Sequence, residues 1–369
     1  MAAVTLSART LPSVDPTPIF ELFRGSLATE LLSAAVGHFD LFGRLAGRPV
    51  PFDALAAELG LAERAAVVLL VSMRAMGLVE TDAGPGGHLK EGRLRLTPLA
   101  EEHLVPGDAF YVGDYVSLVA DKPGVVEMVE RLRTNKPAGA EPASTAQATT
   151  SSDAGVAFIY REGLESAMEQ EATARRFTLA LAGRAKNVAP HLAASGTLDG
   201  ARLMVDVGGG TGIYSIACLQ HDPKLRAIVW DRPEVLKVAA EMAAEYGVAD
   251  RLECQPGDMF TDPVPRGADA ILVSNVLHDW DVPANREIVG RLAAALASGG
   301  RLLVHDAFLN DALDGPLPIA NYSAALFSLT EGRAYSAGEY RSWLSDAGLK
   351  PLAAVPTLVH CGVLPAVRP

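Results

Sequence analysis

The chain has 369 residues, 49% hydrophobic and 21% charged, a balance that suits a well-packed protein of two domains rather than one. Its formal net charge of -12 repels phosphate backbones and anionic lipid, which argues against nucleic acid or a membrane as partner. Cys218, Cys254 and Cys361 form no Cys-x-x-Cys pair and the histidines show no ligand spacing, so neither disulfides nor a metal site are expected.

Met1 to Ser13 lacks a basic stretch followed by an apolar one, and no uncharged apolar run approaches the ~20 residues of a membrane span, so a cytoplasmic protein is expected. Helices are expected over 29–36, over 51–60 with Gly60 as its end, and over 63–76 with Gly77 as its stop. Strands over 78–81 and 94–97 flank the turn segment 84–87. Helix, helix, hairpin is the order of a winged helix, and a mainly α winged-helix domain is expected over 1–110.

A winged helix raises the question of DNA binding, which needs a basic face on the second helix. That helix reads Ala65-Ala66-Val67-Val68-Leu69-Leu70-Val71, with Arg64 and Arg74 as its cations. Residues 1–105 carry nine Lys and Arg against twelve Asp and Glu. A helix apolar on every side is buried. Homodimerisation is therefore the expected use of this domain, with a second subunit as the cover.

A helical connector is expected over 111–200. Within it, 134–156 is rich in Ala, Ser, Thr and Pro and reads as a linker, and a helical pattern resumes over 158–192. From 201 to 369 strands and helices alternate. Strands are expected near 202–207, 226–230, 251–254, 269–274 and 301–306, with an antiparallel pair near 351–359 and 361–367. This is an α/β, Rossmann-like domain with a mostly parallel, seven-stranded sheet covered on both faces.

The first of these strands runs into a glycine turn, Leu203-Met204-Val205-Asp206-Val207-Gly208-Gly209-Gly210-Thr211-Gly212. Glycines at 208, 210 and 212 allow a tight turn and let a ligand approach main-chain N–H groups. A dinucleotide-binding G-x-G-x-x-G would need glycine at 213 or 215, where Ile213 and Ser215 stand. The pattern is instead Asp-x-Gly-x-Gly-x-Gly, which narrows the ligand toward S-adenosylmethionine. The next strand ends in Trp230-Asp231-Arg232-Pro233, and a carboxylate there can accept both ribose hydroxyls; Asp231 as a plain helix N-cap is the competing reading. In Gly257-Asp258-Met259-Phe260, Asp258 can accept an adenine amino group while Met259 packs on the ring.

The fourth strand leads into Leu277-His278-Asp279-Trp280-Asp281, and with it the sequence resembles the O-methyltransferases that include plant caffeate, flavonoid and acetylserotonin enzymes and many bacterial natural-product enzymes. The resemblance spans nearly the whole chain and extends to Gly300-Arg301-Leu302-Leu303-Val304 and Tyr335-Ser336-Ala337-Gly338-Glu339-Tyr340. It implies a class I methyltransferase that transfers a methyl group from S-adenosylmethionine, releasing S-adenosylhomocysteine, to a phenolic or enolic hydroxyl of a small, aromatic acceptor. It also implies that His278 is the general base and that Asp306 orients it. A phenol, with pKa about 10, keeps its proton at neutral pH, and a neutral imidazole with pKa about 6.5 can take it. Asp206, Gly208, Gly210, Asp231, Asp258, Met259 and Ser274 are the expected cofactor residues.

The sequence departs from the plant members in three places. The second acidic residue that orients the histidine aligns with Ala334, so that carboxylate is missing unless Glu331 substitutes for it; Ser274 stands where lysine is common; and the segment 324–330, which lines the acceptor pocket in the family, is a few residues short. Carbon or nitrogen methylation, or non-methylating use of the cofactor, is the alternative. Asp281 is expected to cap the helix that follows it, and Ser336 and Glu339 to form a capping box. Phe158, Met168, Phe177, Trp280 and Phe327 are candidate pocket-lining residues.

Overall fold

Residues 6–84, 86–137 and 171–369 are described by the structure, a computed structural model. The chain divides into two units, one of Ile19–Tyr160 with Leu309–Ser336, the other of Met1–Pro18, Arg161–Phe308 and Ala337–Pro369. The expected connector is thus shared between them. The helix Pro123–Thr134 belongs to the first unit and the helix Glu171–Ala193 to the second. Most of the expected linker, and Phe158 and Met168 with it, lies outside the described residues.

In the first unit the winged-helix order is present. Helix Phe52–Leu59 ends at Gly60, whose φ of +66° places it in the left-handed region, its N–H bonded to the Ala56 and Ala57 carbonyls. Helix Glu63–Ala75 follows, then a small antiparallel sheet of β1 (Val50–Pro51), β2 (Val79–Thr81) and β3 (Arg93–Leu96) in the order β1-β3-β2. Arg93 and Arg95 of β3 face water while Leu94 and Leu96 are buried, the alternation of a half-wet strand.

Helix Glu63–Ala75 is buried from Ala65 through Arg74. A second subunit is not what covers it. Its cover comes from its own chain, namely helix Leu317–Leu329 together with Ser26–Gly37 and Pro123–Thr134. Val67, Val68, Leu69, Leu70 and Val71 are at most 1% exposed, and each buried side chain of this size is worth about 1.5–3 kcal/mol. The two cations of the helix are also committed inside the unit. Arg64 donates to the carbonyls of Thr330 and Gly332 at 2.9 and 3.0 Å and stacks its guanidinium 4.4 Å above the Phe327 ring. Arg74 donates to the carbonyls of Ala312 and Gly87 at 2.6 and 2.7 Å. Spent on carbonyls, neither presents a charge to a phosphate backbone.

The second unit carries an eight-stranded sheet. Strands β4 (Leu203–Val207), β5 (Arg226–Asp231), β6 (Leu252–Pro256), β7 (Ala270–Ser274) and β8 (Arg301–Ala307) are parallel, and β11 (Cys361–Val367) runs antiparallel to β8. The segment expected as one long antiparallel partner of β11 is two short strands, β9 (Lys350–Pro351) and β10 (Val355–Pro356), which makes eight strands of the expected seven. Ala-Ile-Leu-Val-Ser of β7 is buried throughout, as a strand with helices on both faces requires. The order β10-β11-β8-β7-β4-β5-β6 means that the chain leaves β4 toward one edge, then returns to build the other. The crevice beyond the ends of β4 and β7 is the topological switch point, where open α/β sheets bind ligands.

Candidate active site

The loop after β4 is built from left-handed glycines, with φ of +63° at Gly208, +59° at Gly210 and +68° at Gly212, which begins helix Ile213–His221. A Cβ at Gly208 would stand 2.8 Å from Val276 Cγ2 and 3.7 Å from Met259 Cε, so the loops after β4, β6 and β7 converge there. At Gly210 a Cβ would meet nothing within 4 Å, so this loop tip faces open space.

Two carboxylates hold the loop. Asp206, fully buried in β4, accepts the Ser215 hydroxyl at 2.7 Å, and a Cβ on Gly209 would lie 2.8 Å from its carboxyl carbon. Burial pushes its pKa up to about 7, against the Ser215 bond that pulls it down. Asp231, closing β5, accepts the Gly210 N–H at 2.9 Å on one oxygen and the Arg232 N–H at 2.7 Å on the other. It does not cap the following helix, whose N-cap is Arg232 with no side-chain cap bond. Burial raises the Asp231 pKa against these bonds. Asp258 folds its loop by accepting the Phe260 N–H at 2.7 Å, while the Met259 carbonyl takes the Arg291 Nε–H at 2.9 Å. Gly257 is a glycine because a Cβ there would collide with the Trp230 indole nitrogen at 2.1 Å.

His278 sits on a 3-10 turn, Leu277–Asp279, and is 4% exposed. The turn is clamped at both ends. Asn275, left-handed at φ +55°, donates its N–H to the His305 carbonyl at 2.9 Å. Asp281 caps helix Val282–Ala295 by accepting the Ala284 N–H at 2.9 Å, and Asn285 of that helix donates to the Trp280 carbonyl at 2.9 Å. The Trp280 ring meets Phe260 edge-on at 4.7 Å.

His278 Nδ1 lies 2.7 Å from Asp306 Oδ1, on β8. A carboxylate can only accept, so Nδ1 carries the proton and Nε2 is the basic nitrogen. Asp279 Oδ1 is 3.7 Å from Nε2, beyond hydrogen-bond distance. Burial pulls the His278 pKa down, but the charges of Asp306 and Asp279 and the bond to Asp306 outweigh it, leaving it raised. Burial pushes Asp306 up, yet His278 and the Ala307 N–H at 2.8 Å win and hold it below the ordinary carboxylate range. Burial lifts Asp279 to about 6.

Ser274, ending β7, bonds His305 Nδ1 at 2.8 Å and accepts the Asn275 side-chain amide at 3.1 Å. The same amide reaches the Tyr214 hydroxyl at 3.3 Å, and Arg184 donates to Asn275 Oδ1 at 2.8 Å. Burial and then the Arg184 charge drive His305 down to about 3, so it is a neutral spacer in this network. Tyr214, Arg184 and Asn275 went unread in the sequence, because nothing local signals a polar network spanning three elements. Phe327 is a buried core residue of the first unit, and the Phe177 side chain lies outside the described residues.

A sheet that reverses order at a glycine loop, with an acidic residue closing the neighbouring strand and an antiparallel strand beside β8, has the architecture of the class I methyltransferase fold. The chain belongs to the O-methyltransferase domain family, whose model matches residues 153–350. It is 34% identical over 357 residues to the 3-hydroxy-5-methyl-1-naphthoate 3-O-methyltransferase of Streptomyces sahachiroi, covering 96% of this chain and 95% of that one. A solved O-methyltransferase family 2 protein from Planctomyces limnophilus, in complex with apigenin, is similar at 43% identity and a TM-score of 0.85, over 99% of this chain and 100% of that one. Human N-acetylserotonin methyltransferase in complex with SAM shares the fold at 21% identity and a TM-score of 0.56, over 97% of this chain and 99% of that one. The protein is thus an S-adenosylmethionine-dependent O-methyltransferase.

The β4 crevice fits that cofactor. The tip at Gly210 is open, and the neighbouring Asp231 spends one lone pair of each oxygen on main-chain N–H groups, keeping a second on each for a hydroxyl.

Proposed function

We propose that the enzyme methylates a phenolic or enolic hydroxyl of an aromatic small molecule with His278 as general base. The observation that carries this reading is the 2.7 Å bond from His278 Nδ1 to Asp306, which fixes the tautomer with Nε2 basic. Nε2 takes the hydroxyl proton and the acceptor oxygen becomes a nucleophile; Asp306 stabilises the imidazolium and holds the ring in line. Bound S-adenosylmethionine supplies an electrophilic methyl carbon on a cationic sulfur. Asp231 would hold its ribose, Asp258 and Met259 its adenine, and Gly208 and Gly210 the main-chain wall beside it. Asp206 and Ser274 contribute from behind, through Ser215 and the Asn275 amide. The aromatic acceptor draws support from the naphthoate enzyme and from the relative in complex with apigenin.

The first unit serves as the dimerisation domain in this reading. Phe110, Val112, Tyr115 and Leu118 are 63, 45, 79 and 75% exposed, an apolar surface that a second copy would cover. The enzyme acts in the cytoplasm; among the described residues no helix is long and apolar enough to cross a membrane.

Turnover of flavones and hydroxynaphthoates, followed by S-adenosylhomocysteine release, tests the chemistry. His278→Ala should bind S-adenosylmethionine as the wild type does and lose roughly 100-fold or more in kcat. Unchanged turnover in that variant removes the general-base assignment. A product methylated on carbon or nitrogen favours the alternative, for which relatives at 28% and 27% identity, an L-tyrosine C(3)-methyltransferase and an N,N-dimethyltransferase, give precedent.

A further inference from the structure

The Asp306 carboxylate is held by more than His278. Its Oδ1 accepts two N–H donors, His278 Nδ1 and the Ala307 main chain, at 2.7 and 2.8 Å. Its Oδ2 accepts the Tyr340 hydroxyl at 3.1 Å. Tyr340 is 1% exposed, and its ring is gripped edge-on by Phe308 at 5.6 Å and Trp343 at 5.2 Å, so the hydroxyl has one well-defined place. Its helix, Ala337–Asp346, packs on Val282–Ala295, the helix that Asp281 caps directly after the His278 turn. One pair of packed helices therefore fixes both ends of the chain Tyr340–Asp306–His278.

We propose that Tyr340 is a positioning residue for proton abstraction: its hydroxyl fixes Asp306 and thereby sets the orientation and basicity of His278. This rests on His278 being the base. A phenol that donates to a carboxylate draws negative charge away from it and weakens its hold on the proton of its other partner. With the hydroxyl removed, charge concentrates on Oδ1, the imidazolium is held more tightly, and Asp306 gains freedom to rotate. The other charged groups that act on His278 are Asp279, beside it on the turn, and Arg184, from the Glu171–Ala193 helix, whose charge opposes protonation. Both are unchanged by a substitution at 340, so a shift in the titration reports the hydroxyl.

The test is an NMR titration of 13C-labelled histidine in the full chain saturated with S-adenosylhomocysteine, the His278 signal being assigned by its loss in His278→Ala. Tyr340→Phe should raise the His278 midpoint by ~0.5–1 pH unit. It should also move the acid limb of the kcat/KM profile the same way and lower kcat roughly tenfold at unchanged acceptor KM. Placing 3-fluorotyrosine at 340 keeps the native packing and makes the hydroxyl a stronger donor, so the midpoint should fall. This second arm keeps the test open if Tyr340→Phe does not fold. A His278 midpoint that stays at the wild-type value in the folded variants overturns the proposal. Full turnover in His278→Ala instead overturns the general-base reading, and the titration, which needs no turnover, tells the two failures apart.

Discussion

Alanine at Gly208 and at Gly210 should separate the stability of the glycine loop from its use. Both positions are left-handed, at φ +63° and +59°, and an alanine there costs about 1–2 kcal/mol, less the ~0.4–1 kcal/mol regained by stiffening the unfolded chain. At Gly208 the new Cβ also lands 2.8 Å from a Val276 methyl, and forced overpacking adds about 1–3 kcal/mol. At Gly210 it meets no protein atom within 4 Å, so the folded state tolerates it. The space it enters is the one assigned to the cofactor. Urea unfolding should therefore show the larger loss for Gly208→Ala, by about 1–3 kcal/mol over Gly210→Ala. Calorimetric titration with S-adenosylhomocysteine should show Gly210→Ala weakened roughly tenfold or more, out of proportion to its stability. Wild-type affinity in a folded Gly210→Ala protein would refute the reasoning, because the open face of the loop would then not be where the cofactor lies.

Two further outcomes follow from burial. Asp206, raised to about 7, keeps its proton in the folded state well above the value near 4 at which the unfolded carboxyl loses it. Its stabilising contribution is complete below about pH 4 and is lost as pH rises through 7, by at most about 4 kcal/mol. Urea midpoints of the apoprotein should fall across that window, and Asp206→Asn should flatten the slope; an equal slope in the variant rejects the assignment. Sedimentation should read the wild type at twice the 38.7 kDa chain mass and Leu118→Asp as a single chain. A variant that stays associated moves the interface elsewhere.

The sheet was readable because strands covered on both faces leave continuous apolar runs, and the loop because only glycine supplies three left-handed residues within five positions. His278 and Asp306 were readable as a pair only through the resemblance, since His278 stands on a turn beyond the end of β7 while Asp306 lies in the parallel neighbour β8. What escaped was whatever depends on contacts far apart in the chain. An apolar helix such as Leu317–Leu329 looks the same whichever core it enters, and nothing in its pattern says that it covers Glu63–Ala75. Arg64 and Arg74 read only as the cations of an apolar helix, because main-chain carbonyls, their partners, leave no mark in a sequence. In the sequence Tyr340 is legible only as part of a family motif and draws no role, since its polar partner lies 34 residues away.

The borrowed helix also has a consequence in time. Glu63–Ala75 emerges during synthesis some 240 residues before Leu317–Leu329, an interval on the order of ten to fifty seconds at about 5–20 residues per second. Throughout that interval this deeply buried helix of the N-terminal unit lacks the part of its cover that Leu317–Leu329 supplies. The unit is first in the sequence and among the last to be finished, so a nascent chain must keep that face from aggregating until almost the whole protein has been made.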